Sequence, residues 1–155
     1  MHGKAACGRA RSTMLAKNSA PRGVGSLAEA QAFLDANPDI EAVQLVITDA
    51  CGVGRGKNVA REELAALYGS GRNVAGSILG LDITGEDVEG TGLVWNVGDA
   101  DQCCRPVAGS LARASWLKRP SAQVLGTMYE LDGRPSKADP RHALAGVVAR
   151  CEDAG

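Results

Sequence analysis

EAVQLVIT, residues 41–48, is the stretch that decides the fold. It is rich in β-branched residues, and Val43, Leu45 and Ile47 recur at every second position, which predicts a strand with one face in a core. Asp49-Ala50-Cys51-Gly52 follows as a turn, and GVGRGK at 52–57 reads as a glycine-rich hairpin turn. A short strand end at Asn58-Val59 precedes a helix over 61–68, with Leu64, Ala65, Leu67 and Tyr68 as its apolar stripe. Gly69 and Gly71 break it.

Upstream, Ser26 and Glu29 have capping-box spacing, and Leu27, Ala30, Phe33 and Leu34 recur at helical intervals until Asn37-Pro38. Residues 1–25 hold five basic groups, no acidic group, and glycine or proline at five positions, which predicts a disordered tail. Its composition loosely resembles an organellar transit peptide, although the glycines spoil an amphipathic helix. Downstream, short strands are expected at 74–79, 93–97, 103–107, 111–117 and 123–131, with a polar acidic loop at 80–92 and a turn at Asp132-Gly133. Asp139-Pro140 opens a final helix whose apolar face is Ala143, Leu144, Val147 and Val148. That stripe runs to Gly155 with little chain left to cover it, so the polypeptide is expected to stop short of a partner domain. Helix, strand, turn, helix, then several strands give an α+β domain with a helix across a mixed sheet.

Composition narrows the function. The chain has 155 residues, Lys plus Arg 17 against Asp plus Glu 18, and only 3% aromatics. There is no basic surfeit for nucleic acid, no base-stacking platform, and no apolar run of the ~20 residues a membrane span needs. Residues 26–155 carry 12 basic and 18 acidic groups, so the folded part is mildly acidic. Five cysteines without a Cys-x-x-Cys pair argue against a disulfide scaffold or a structural zinc; they read as small apolar fillers in a reducing compartment. GVGRGK fails the phosphate-loop pattern, because Cys51 stands five before Gly56 and Asn58 follows Lys57. Asp82, Glu86, Asp87 and Glu89 could collect a divalent cation, but they miss the calcium-loop spacing, and glycines at 85 and 90 give freedom rather than preorganisation. Asp99 and Asp101 are expected to cap a turn, and His142, in the first turn of the last helix, reads as a surface residue. No active site assembles from these residues alone.

Several segments together resemble one family. AVQLVITD at 42–49 with GVGRGK at 52–57, SILGLDIT at 77–84, GDAD at 98–101 with Cys104-Arg105-Pro106, MYELDG at 128–133 and ADPRH at 138–142 stand in the order found in glutamine synthetases. They resemble that family's amino-terminal β-grasp (ubiquitin-like) domain and the passage into its catalytic domain. Gly-Leu-Asp and Cys-Arg-Pro look closer to the γ-glutamylpolyamine or γ-glutamylamide synthetase branch than to ammonia-using enzymes. The resemblance implies a β-grasp domain at 26–132, the start of a truncated catalytic domain at 133–155, and a cytoplasmic role in nitrogen, glutamine or polyamine metabolism. It implies ATP-dependent ligation of glutamate to an amine or ammonia, with ATP and magnesium or manganese held by the catalytic domain. No cofactor, metal or catalytic residue is expected on this chain, and it is expected to be inactive alone. Its implied partners are a catalytic domain or the neighbouring subunit of a ring-shaped homo-oligomer. Its implied contribution is a loop reaching the neighbour's site. Ammonia-using members carry Asp-Gly-Ser-Ser there; the matching positions are Ala75, Gly76, Ser77 and Ile78. A methyl group cannot attract ammonium, which suits a larger amine or a lost function; equally, Ala75 could simply pack in a strand. The alternative is a freestanding β-grasp interaction module using its sheet or the 80–92 loop.

Overall fold

A strand in the centre of a mixed sheet must bury its apolar face and pair on both edges, and β1 (Ala42–Thr48) does both. β2 (Gly54–Ala60) folds back antiparallel on one side, and the long β6 (Ser121–Tyr129) lies parallel on the other. The computed structural model describes residues 23–155; the expected tail, with His2 and Cys7, lies almost wholly outside them. The remaining strands are β3 (Arg72–Ala75), β4 (Asp101–Pro106) and the short β5 (Ala112–Arg113). The sheet order is β2-β1-β6-β4-β3, with β5 also on β6. Helices α1 (Leu27–Ala36) and α2 (Leu64–Ser70) pack together over the sheet, and α3 (Pro140–Ala154) follows β6. This is the expected α+β architecture, a β-grasp-like mixed sheet with helices.

The core forms where Val43, Leu45 and Ile47 of β1 meet Val124 and Met128 of β6, Leu64 and Leu67 of α2, and Ala30 of α1. Gly126 lets the layers close: a Cβ there would lie 2.5 Å from Cys104 Sγ and 3.0 Å from Leu45 Cδ1. Burial pushes the Cys104 thiol up to about 12. Its neighbour Cys103 points to the other face and is partly exposed, as alternation along a strand requires.

Several elements depart from the sequence reading. GVGRGK is mostly strand rather than turn, since β2 begins at Gly54; the reversal occupies 49–53. Gly56 is needed because a Cβ there would collide with the Leu45 carbonyl across the pair. The expected strand 74–79 is β3 only to Ala75, and Gly76–Leu79 then winds into a tight 3₁₀ turn. Residues 93–97 form no strand; Gly92, Gly98 and Asp99, at φ 68°, 65° and 53°, turn the backbone too sharply on either side. Of 111–117 only Ala112–Arg113 pairs, and Leu117 N–H turns back to the Ala114 carbonyl. The first capping box is half formed. Ser26 Oγ accepts from Glu29 N–H at 3.2 Å, but the Glu29 carboxylate accepts from Gly109 N–H at 3.0 Å and Tyr68 OH at 3.4 Å. Residues 23–25 run beside the sheet, Gly25 N–H donating to the Pro106 carbonyl at 2.8 Å. No described helix is long and apolar enough to cross a membrane.

Candidate functional site

The residues matched to the amine loop lie where β3 ends. Ala75 pairs with Asp101 at the start of β4, so Asp101 is a strand residue rather than a turn cap. Gly76 N–H then donates to the Ala100 carbonyl at 3.0 Å, and Gly80 N–H closes the turn on the Ser77 carbonyl at 2.9 Å. Gly76 is buried, whereas Ala75 and Ser77 are half-buried. A Cβ at Gly76 would meet the Ala100 carbonyl at 3.2 Å and the Gln102 amide at 3.4 Å, so the backbone is held close to β4. The loop is therefore a shoulder held against β4 at the edge of the sheet.

Beside it, a buried ion pair fixes the excursion that follows. Asp49, at the end of β1, is 1% exposed. Its Oδ1 accepts from Cys51 N–H at 2.9 Å and Val53 N–H at 2.8 Å, and its Oδ2 accepts from Arg55 Nε at 2.6 Å. Burial by itself would raise this carboxyl; the Arg55 hydrogen bond, the Val53 amide and the Arg55 charge outweigh it and hold it below the usual aspartate value. Arg55 reaches on to the Asp82 carbonyl, and Ala50 N–H donates to the Leu79 carbonyl at 3.0 Å, so the β1–β2 turn and the 79–87 segment are tied together.

That contact corrects the expectation of a free acidic loop. Asp82 Oδ1 accepts from Thr84 Oγ1 at 2.7 Å, Thr84 N–H at 2.8 Å, Gly85 N–H at 2.9 Å and Glu86 N–H at 3.0 Å, and Asp82 N–H donates to the Glu86 carbonyl at 2.9 Å. The Thr84 hydroxyl, with these amides, holds its carboxyl below the usual range. Asp82 is thus spent on its own turn, while Glu86, Asp87 and Glu89 are exposed. Among the described residues no three His, Cys, Asp or Glu side chains converge as a metal-binding group.

His142 is half-buried against β6 rather than free on the surface. Its Nε2 lies 2.8 Å from the Met128 carbonyl and 3.2 Å from Thr127 Oγ1, and its ring stands edge-on to Tyr129 with centroids 5.0 Å apart. Asp139, buried beside it, accepts from Thr127 Oγ1 and Met128 N–H, both at 2.7 Å, and caps α3 through Arg141 N–H at 2.8 Å. The pair clamps the start of α3 to β6. Beyond the clamp the helix has no buried residue, and Leu144, Val147 and Val148 are exposed. Aspartate before proline signalled the cap; the reach to residues 127 and 128 had no local signal.

No protein-family model matches the chain. It is 33% identical over 123 residues to gamma-glutamylputrescine synthetase of Escherichia coli strain K12, covering 79% of this chain and 26% of that protein. It is 29% identical over 121 residues to glutamate–isopropylamine ligase of a Pseudomonas species, covering 76% of this chain and 26% of that one. The chain therefore spans about a quarter of the length of the curated relatives it matches. Among solved structures, a novel glutamine synthase homologue superposes with a TM-score of 0.65 at 25% identity, covering 75% of this chain and 28% of the other. Shared sequence, the β-grasp-like sheet and the order of the segments make this chain an amino-terminal domain of the glutamine synthetase family.

Proposed function

We propose that this chain is the non-catalytic part of an ATP-dependent glutamate–amine ligase and completes an active site on a neighbouring subunit of a ring-shaped assembly. The carrying observation is the match, over four-fifths of the chain, to a protein named for joining glutamate to putrescine. In that reaction ATP phosphorylates the γ-carboxylate of glutamate, and the amine nitrogen then displaces phosphate from the acyl phosphate. ATP and the magnesium or manganese ions would belong to a catalytic domain. Ala75, Gly76 and Ser77 would be the contribution from this side: a fixed shoulder with a methyl group where ammonia-using members place a carboxylate. Without that charge, a primary amine with an alkyl body is the fitting substrate class. Residues 26–132 would be the domain proper, 133–155 the lead into the catalytic domain, 1–25 a tail, and the setting the cytoplasm.

The experiment has two arms. The purified chain, given ATP, magnesium, glutamate and putrescine, is expected to form no γ-glutamyl product; product above blank overturns the claim that it is inactive alone. In the second arm it replaces the corresponding part of the Escherichia coli relative. The assembled chimera is expected to ligate putrescine and, with Ala75→Asp, to gain activity towards ammonia. An assembled chimera without ligation would sink the reading.

A freestanding interaction module is the second reading. The observation in its favour is the exposure of Ile83, Trp95 and Val97 on the excursion between β3 and β4.

A further inference from the structure

The excess acidity of residues 26–155 is confined to one place. Residues 73–104 hold six acidic side chains, Asp82, Glu86, Asp87, Glu89, Asp99 and Asp101, and no lysine or arginine. The rest of 26–155 holds 12 acidic and 12 basic groups, so the whole surplus lies on the excursion between β3 and β4 and its margins. Asp82 is spent on its own turn, but the other five carboxylates are exposed. Among the described residues none of the six stands in an ion pair, and Arg55, which reaches this segment, is matched by Asp49. The same excursion leaves Ile83, Trp95 and Val97 each more than half exposed. An acidic surface with bare apolar side chains suits a cover that is basic and apolar at once.

We propose that residues 1–22 of the same chain dock on this face. They carry Lys4, Arg9, Arg11, Lys17 and Arg22 and no acidic residue, with Met14 and Leu15 between two of the cations. Their five positive charges nearly cancel the six negative ones of the excursion, which is why the chain as a whole stands at −1. Arginine or lysine over the open face of Trp95 adds a cation–π contact, and Met14 and Leu15 offer apolar surface to Ile83 and Val97. Reach is sufficient. Gly25 N–H is bonded to the Pro106 carbonyl at one end of β4, and Asp101 opens the other. That strand measures about 20 Å, whereas 22 extended residues span up to about 70 Å. Because the segment is tethered, its effective concentration at the excursion is on the order of millimolar, and contacts too weak to hold a free peptide are populated. Salt weakens them, since exposed charges are screened beyond about 10 Å at 0.1 M and about 3 Å at 1 M. The inference rests on charge and exposure and not on the ligase reading.

The test uses the full chain with Trp116→Phe, which leaves Trp95 as its one tryptophan, and follows quenching of Trp95 fluorescence by acrylamide. In about 0.02 M salt the quenching constant is expected to be about half of that in about 1 M salt, because the docked segment shields the indole. Reversing the tail with Arg9→Glu, Arg11→Glu and Lys17→Glu is expected to raise the low-salt constant to the high-salt level. Adding Glu86→Lys, Asp87→Lys and Glu89→Lys to the reversed tail is expected to restore the shielding. The tail reversal leaves residues 26–155 as they are, so it decides the matter should the lysine-bearing face fold poorly. Equal quenching with native and reversed tails, no effect of salt, or no rescue in a folded double reversal would each overturn the inference. Shielding that grows with protein concentration would assign the cover to a second copy and overturn it as well. Because no ligation is measured, failure of the chimera above and failure here are separate results.

Discussion

Asp49 and Asp139 are both buried carboxylates, 1% and 2% exposed, yet they hold different kinds of structure. Asp49 is met by a guanidinium, and every side chain and amide bonded to it lies within six residues; through Arg55 it pins a distant excursion. Among the described residues, no arginine or lysine side chain binds Asp139. It gathers a hydroxyl and an amide from β6, 12 and 11 residues away, and one amide from its own helix. The first closes a turn that sequence alone already marks. The second joins two elements, and nothing local in sequence announces it.

The comparison breaks most readily at Asp49. Asp49→Ala leaves Arg55 largely buried without its counter-charge and two amides unpaired, and is expected to cost about 3 kcal/mol in urea unfolding. A loss below about 1 kcal/mol would show that solvent replaces the pair. The pH dependence sharpens the point. The folded-state value of Asp49 is depressed, so its stabilisation is fully present above the ordinary aspartate value near ~3.9 and is lost as pH falls through the folded-state value. Urea midpoints of wild type should therefore fall more steeply below that pH than those of Asp49→Asn. Next comes Asp139→Ala, expected to cost about 2 kcal/mol, from an unpaired Met128 amide and a lost helix cap. Hydrogen exchange should rise first at Met128 and in the first turn of α3. Smallest is Leu144→Glu on the bare face of α3, where unfolding should move by less than about 0.5 kcal/mol. A larger loss would mean that the face is covered within this chain.

How far the sequence could be read follows from the range of each interaction. Alternation of Val43, Leu45 and Ile47 announced β1 because a half-buried strand imposes a period of two. Glycines 54 and 56 suggested a turn, but both stand in β2, where Gly56 answers a close approach from Leu45. That requirement belongs to the pairing and cannot be seen in residues 52–57 alone. The acidic loop differs from its reading for a similar reason: glycines 85 and 90 suggest freedom, whereas Asp82 organises the turn and a cation from β2 supports it. The Ala75–Ser77 turn is singled out only by resemblance, since nothing in its own spacing marks it as a site. Gln102, a single glutamine in a strand, has no spacing signature, although its side-chain oxygen is buried without a partner among the described residues.

Cys104 has a practical consequence. Its thiol lies at the centre of the sheet and is held protonated, while Cys51 and Cys151 face solvent. An alkylating reagent should therefore modify Cys51 and Cys151 at once, the partly exposed Cys103 more slowly, and Cys104 only during rare openings that part β4 from β6. The chain thus carries its own clock for such openings, one that mass spectrometry of the peptide holding Cys104 can follow without any engineered probe.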